Sequence, residues 1–275
     1  MSVYKNSDLP APKVRTLAEI NGKIHPSRVT GNGHHVIGRQ YPSGDVELTS
    51  LQLSHEDSLK RGGGARRENS DRGSMDSSVL EKSKKRAATQ VRRKCLTFQA
   101  DRLLTLTFRE NVTDIDEAWR VFDYFRKLMK WRYRDHFKYV VAPEFQKRGA
   151  VHFHLAVQGY YHANTVRRLW HRAAASHGGN IDITSPRRIK LNNWTPAAIA
   201  GYLTKYIRKD ETTEFNRRRY SSGGNIQIPA PIYGWVPYCD FILNILCETL
   251  GRMTRRPLRV VFEGEGRLPL AYIST

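Results

Sequence analysis

The chain has 275 residues, of which 46 are Lys or Arg and 26 are Asp or Glu, for a formal net charge of +20 at pH 7. That length admits one substantial domain with extensions or two small ones, and a charge so positive makes a polyanion the expected partner, nucleic acid before membrane. Three cysteines without CxxC spacing exclude a disulfide framework or a zinc ribbon; no apolar leader follows Met1 and no apolar run approaches the roughly 20 residues of a membrane span, so the expectation is a soluble protein of a reducing, cytoplasmic compartment.

From Met1 to about Lys94 apolar periodicity is weak and Gly, Ser, Pro, Lys and Arg are frequent, which predicts a long, largely disordered basic extension over residues 1–94. Such a segment can add non-specific phosphate contacts. His34 and His35, in a GNGHH turn, read as surface residues. Order is expected from residue 95. Leu104, Leu106 and Phe108 alternate with Thr105 and Thr107, the pattern of a strand with one buried face. A capping pattern at Thr113 then opens a helix in which Ile115, Ala118, Trp119, Phe122, Phe125 and Met129 recur at helical spacing and form core.

The most informative stretch is Phe137 to Gly159. From Ala150 to Gln158 the residues alternate, so His152 and His154 share one face of a strand while Val151, Phe153, Leu155 and Val157 share the other. Tyr139 to Gln146 reads as the preceding strand, and Lys147-Arg148-Gly149 suits a three-residue hairpin loop with Gly149 in the left-handed position. Counting back from that loop puts Glu144 opposite His152, at a Cβ separation of about 5 Å. Two imidazoles and a carboxylate on one face make a divalent-metal site with open positions. A loop one residue longer or shorter would send Glu144 to the other face.

A second amphipathic helix is expected over Asn164 to Ser176, with His171 and His177 on or beside it and no evident partner for either. Ile181 to Thr184 and Arg187 to Leu191 read as an edge strand broken at Ser185-Pro186. Thr195 is a good N-cap and Pro196 a good first residue for a helix reading PAAIAGYLTKYIRK. Its buried stripe is Ile199, Leu203 and Ile207, with Tyr202 and Tyr206 one turn apart at the stripe's edge and Lys205 and Lys209 flanking them. Residues 211–275 read as a C-terminal extension with an apolar helix from Pro237 to about Leu250 and a strand from Leu258 to Phe262. No GxxxxGK[ST] phosphate loop occurs in the chain.

A metal held by Glu144, His152 and His154 beside a helix edge bearing Tyr202, Tyr206 and Lys205 is the equipment of phosphodiester transesterification. Mg²⁺ or Mn²⁺ polarises a non-bridging phosphate oxygen, a tyrosine hydroxyl attacks phosphorus, and Lys205 assists the phenol or holds the phosphate. On the residues alone two other readings stay open. One is a non-catalytic module binding single-stranded nucleic acid, the other an Fe(II) oxygenase with a two-histidine, one-carboxylate site.

LLTLTF, the HFH strand with Glu144 ahead of it, and YLTKYIRK together resemble the three ordered motifs of the HUH endonucleases, in particular the rolling-circle replication initiators of single-stranded-DNA phages and related plasmids. The resemblance spans Leu103 to Lys209. It implies an α+β fold similar to the ferredoxin-like or RNA-recognition-motif arrangement, in β-α-β-β-α-β-α order, with helices on the sheet face opposite the histidines and a domain over residues 95–210. It implies His152 and His154 as metal-binding histidines, Glu144 as the completing carboxylate, Tyr202 and Tyr206 as nucleophiles and Lys205 as the supporting lysine. The expected activity is site- and strand-specific nicking and rejoining through a covalent 5′-phosphotyrosine. The expected partners are single-stranded DNA or an origin hairpin, with a host helicase and replication machinery, since no helicase motif is present. Mobilisation relaxases of the same superfamily typically use a third histidine, whose place here is taken by Ala156; a transposase- or relaxase-type nickase is the nearest alternative within the superfamily.

Overall fold

A computed structural model gives the fold of the protein and describes residues 33–53, 77–184, 195–209, 218–237, 248, 250, 260–264 and 270–274. In chain order the elements are β1 (Gly33–Gln40), β2 (Val46–Leu53), α1 (Ser77–Thr97), β3 (Arg102–Thr107), α2 (Ile115–Tyr133), β4 (Tyr139–Phe145), β5 (Val151–Val157), α3 (Ala163–Ala174), β6 (Asn180–Thr184), α4 (Pro196–Lys209), β7 (Ser221–Gly223), β8 (Ile232–Pro237), β9 (Val260–Gly264) and β10 (Leu270–Ser274). The fold is α+β with antiparallel sheets, as the sequence implied. None of the described helices is long and apolar enough to cross a membrane.

The chain divides into two compact units. One comprises Met1–Gln40, Gly44–Arg66 and Ala230–Thr275; the other comprises Tyr41–Ser43 and Arg67–Pro229. The first holds an antiparallel sheet in the order β8-β1-β2-β10-β9. This departs from the disordered extension expected over residues 1–94. The signal was present in VELTSLQL, which alternates at period two, but the composition around it masked it. His34, expected at the surface, is buried in β1 with Nδ1 3.4 Å from Ser50 Oγ. The apolar helix expected after Pro237, the strand expected at Arg187 to Leu191, and Cys239 and Cys247 lie outside the described residues, Glu248 and Leu250 excepted.

The second unit contains the expected β-α-β-β-α-β-α run, β3-α2-β4-β5-α3-β6-α4, on an antiparallel sheet ordered β6-β3-β5-β4-β7. β6 is an edge, as expected. Helix α2 forms where the apolar stripe predicted it. Its N-cap is Asp114 rather than Thr113, the carboxylate accepting from the backbone N–H of Asp116 at 2.8 Å and Glu117 at 3.3 Å. Its Phe122 and Phe125, with Trp170 of α3, close over Leu104, Leu106, Phe153 and Leu155 on one sheet face.

The other sheet face carries helices too, which corrects the expectation of helices on a single side. Val91 and Cys95 of α1 and Ile199, Leu203 and Ile207 of α4 pack with Leu103, Val140, Ala142 and Ala156. Helix α1 lies largely in the stretch read as disordered. Its buried positions Lys84, Ala88, Val91 and Cys95 do keep helical spacing, but small residues and a lysine among many charges give a faint amphipathic signal. The unit therefore extends on both sides of the expected 95–210 domain, with α1 before it and β7 after it.

Candidate active site

Strands β4 and β5 set the site's register. Gln146 N–H donates to Ala150 O at 2.9 Å and Gly149 N–H to Gln146 O at 2.8 Å, closing a loop of Lys147, Arg148 and Gly149 in which Gly149 has φ +86°. Glu144 consequently pairs with His152, as the hairpin count requires, and His154 pairs with Ala142 on one side and Thr105 on the other. Both imidazoles are buried, His152 8% and His154 5% exposed.

The carboxylate bonds diagonally rather than straight across. Glu144 Oε2 lies 2.6 Å from His154 Nε2. A carboxylate only accepts, so Nε2 carries the proton, and in the neutral ring Nδ1 is a lone pair that accepts from the Thr105 hydroxyl at 3.1 Å. His152 Nδ1 lies 3.3 Å from the Gln146 amide nitrogen, and Arg148 Nε donates to the Gln146 amide oxygen at 3.2 Å. His152 Nε2 is buried and without a hydrogen-bond partner. Burial pushes both imidazoles below the ordinary histidine pKa. For His152 the neighbouring His154 lowers it further, and for His154 the Glu144 hydrogen bond opposes burial without overcoming it. Both rings are neutral at pH 7, the state in which imidazole ligates a metal.

Helix α4 brings the tyrosines to this face. Thr195 caps it, Oγ1 accepting from Ala198 N–H at 3.2 Å, and Pro196 is its first residue, both as predicted. With Ile199, Leu203 and Ile207 held on the sheet, Tyr206 lies flat on His154 with ring centroids 4.5 Å apart and planes 7° from parallel. Tyr202 stands edge-on to His154 at 5.5 Å and to Tyr206 at 5.2 Å. Burial pushes the Tyr206 hydroxyl well above the ordinary phenol range, reinforced by a hydrogen bond with Tyr202 and by the charges of Glu144 and Tyr202. Lys205 is exposed. An open cleft of about 810 Å³ runs past Glu144 and Tyr206 and is lined by Lys147, Arg148, Lys209 and Arg219.

Among the described residues no three His, Cys, Asp or Glu side chains already converge as a metal cage, because Glu144 and His154 are engaged with each other. The donor set nevertheless suits a divalent cation, with two neutral imidazoles, one carboxylate, and a buried imidazole nitrogen that lacks a partner. Sequence reasoning missed the supports of the rings, Thr105 and Gln146. Their signal was positional. Thr105 falls opposite His154 once β3 is paired with β5, and Gln146 falls two residues beyond Glu144 on the same strand face. His171 and His177 sit apart from the site; His177 is clamped between Glu110 at 3.2 Å and Glu117 at 3.1 Å, and His171 Nε2 bonds to the Gly179 carbonyl oxygen.

Residues 101–211, which hold every one of these site residues, match the model of the replication-associated protein ORF2 family. The segment is a domain of that phage rolling-circle replication initiator family, of HUH type. No curated protein and no solved structure matches the chain significantly. Membership of a replication-protein family implies DNA binding, in keeping with the basic lining of the cleft.

Proposed function

We propose that the replication-associated domain is a metal-dependent nickase that cuts one strand of a replication origin and later rejoins it, through a tyrosine-linked DNA intermediate. The observation that carries the reading is the contact of the Tyr202–Tyr206 pair with His154, which joins nucleophile and ligand candidates separated by about fifty residues of chain. Glu144, His152 and His154 would hold Mg²⁺ or Mn²⁺, Glu144 turning from its hydrogen bond with His154 to do so. When bound, such an ion supplies positive charge to a non-bridging oxygen of the scissile phosphate.

The chain's own residues do the rest. Lys147, Arg148, Lys209 and Arg219 draw the phosphate backbone into the cleft. The hydroxyl of Tyr202 or Tyr206 loses its proton and attacks phosphorus. The new bond joins tyrosine to the 5′ phosphate, and the departing 3′ oxygen takes a proton and leaves as a free 3′ hydroxyl. Lys205, exposed one turn from Tyr202, holds the phosphate. Because the phosphotyrosine conserves the energy of the cut bond, reversal by a second 3′ hydroxyl rejoins ends without ATP, and two tyrosines allow one to hold an end while the other attacks.

Tyr202→Phe, Tyr206→Phe and the double variant, incubated with origin strands and Mn²⁺, test this through the covalent protein–oligonucleotide band. The double variant should form none. An adduct that survives in it sinks the assignment, and cleavage unaffected by EDTA removes the metal. DNA binding without cleavage under every metal would favour the non-catalytic reading.

A further inference from the structure

The side of α2 turned away from the sheet carries Arg120, Tyr124, Lys127 and Trp131. These positions, at i, i+4, i+7 and i+11, fall on one face of a 3.6-residue helix and form a ridge roughly 16 Å long. Trp131 is 75% exposed and Tyr124 42%, whereas Trp119 of the same helix and Trp170 of α3 are buried. Leaving a tryptophan that open forgoes the burial that large rings normally seek. The cations of the ridge are also uncompensated. Arg126, at its flank, pairs with Asp123 at 2.7 Å, but no carboxylate of the described residues lies within ion-pair distance of Arg120, Lys127 or Lys130.

Past the end of the helix the same character continues. A cleft of about 470 Å³ joins Trp131 to Lys127, Lys130 and Arg134. A neighbouring cleft of about 890 Å³ shares Arg134 and is bordered by Arg132, Lys138 and Tyr160, the last 76% exposed.

We propose that this ridge is a second contact site for DNA in single-stranded form, with its lysines and arginines on phosphates and Trp131, Tyr124 and Tyr160 stacked on bases. Alternation of uncompensated cations with open ring faces is what an unpaired strand recognises, because only unpaired bases offer their faces for stacking. A duplex would use the charges and leave the rings idle. Helix α2 packs on the sheet face opposite His152 and His154, so a strand lying on the ridge is separated from Tyr206 by the sheet. The ridge retains DNA without cutting it. It lies outside the proposed nicking chemistry and stands without it.

The test measures binding of the full chain, without metal, to labelled oligo(dT) of roughly 30 nucleotides, long enough to pass beyond a single groove, and to a duplex of equal length. Trp131→Ala should leave thermal unfolding unchanged, weaken oligo(dT) binding about tenfold and barely alter duplex binding. Trp131→Phe should restore most of the loss. Lys127→Glu with Lys130→Glu should weaken binding and flatten the logarithmic salt dependence by about 1.4, two single-strand phosphate contacts. Oligo(dT) affinity unchanged in both the alanine and the double-glutamate variants overturns the proposal. Equal losses on oligo(dT) and duplex overturn its single-strand specificity and make the ridge a duplex-phosphate surface. Adduct formation is not part of the readout, so failure of the nicking reading would leave this result intact.

Discussion

Thr105→Val isolates the hydrogen bond that orients His154. The Thr105 hydroxyl meets His154 Nδ1 at 3.1 Å, and the ring it holds is 5% exposed. Valine keeps the shape and removes the hydroxyl, leaving a buried ring nitrogen unpaired, at a cost of about 1 to 2 kcal/mol. For a unit of this size each kcal/mol lowers the melting temperature by about 2 to 4 °C, so a fall of roughly 2 to 8 °C in EDTA is expected. A second effect separates orientation from stability. A hydroxyl can donate to Nδ1 while Nε2–H faces Glu144, and accept from Nδ1–H when Nε2 serves as ligand, so it supports the ring in both tautomers. Valine supports neither, and Mn²⁺ affinity measured by calorimetry should fall about 10- to 100-fold. Thr107→Val is the matched control, since Thr107 pairs with His152 one row along in the same strands. If Thr105→Val and Thr107→Val leave melting and Mn²⁺ binding equally unchanged, His154 is not held as argued.

Three further outcomes are expected. Gln146→Leu should weaken Mn²⁺ binding by about tenfold, because the amide is the support of His152 Nδ1 and must turn its oxygen to that nitrogen for Nε2 to present a lone pair; calorimetry checks it. Asp114→Ala removes the two N-cap hydrogen bonds of α2 and should cost about 1 kcal/mol in urea unfolding, with metal affinity unchanged. Asp123 is subject to burial, which would raise its pKa, but hydrogen bonds from Arg218 at 3.0 Å and Arg126 at 2.7 Å outweigh burial and hold it below the usual carboxylate value. A depressed pKa gives stability that is complete above the unfolded value of about 3.9 and is lost as pH falls through the lower folded value. Asp123→Asn should therefore be less stable than wild type at neutral pH, and the difference should shrink in urea melts taken below about pH 4.

What the sequence disclosed follows from which signals are local. The hairpin, its register and the Glu144–His152 pairing were legible because Gly149 marks the loop and a strand's period of two propagates from it. The stripe of α2 and the cap of α4 were legible for the same reason. The hydrogen bond of Glu144 to His154 rather than to its direct partner was not, since it depends on side-chain rotamers. The stacking of Tyr206 on His154 depends on how α4 lies across the sheet, which no window of sequence contains. Helix α1 was missed because its inward face is built of Ala88, Val91 and Cys95, small residues suited to close helix packing but weak as a hydrophobic signal against so many lysines and arginines.

The same small residues explain how one sheet face can be both core and site. Across β3, β5 and β4 that face consists of three rows in register: Leu103, Ala156 and Val140; then Thr105, His154 and Ala142; then Thr107, His152 and Glu144. The first row is apolar and sits under α1 and α4, the last is polar and opens on the cleft, and the middle row holds one of each character. Tyr206 meets the face at the middle row, where helix cover gives way to cleft. Ala156, where a relaxase-like third histidine would fall, belongs to the first row and is fully buried with Ala200 and Leu203 in the same cluster. An imidazole there would have to displace α4 and leave a ring nitrogen unpaired in apolar surroundings. The two-histidine pattern is thus coupled to the position of the tyrosine helix: the close approach that brings Tyr206 to His154 is available only because residue 156 is small.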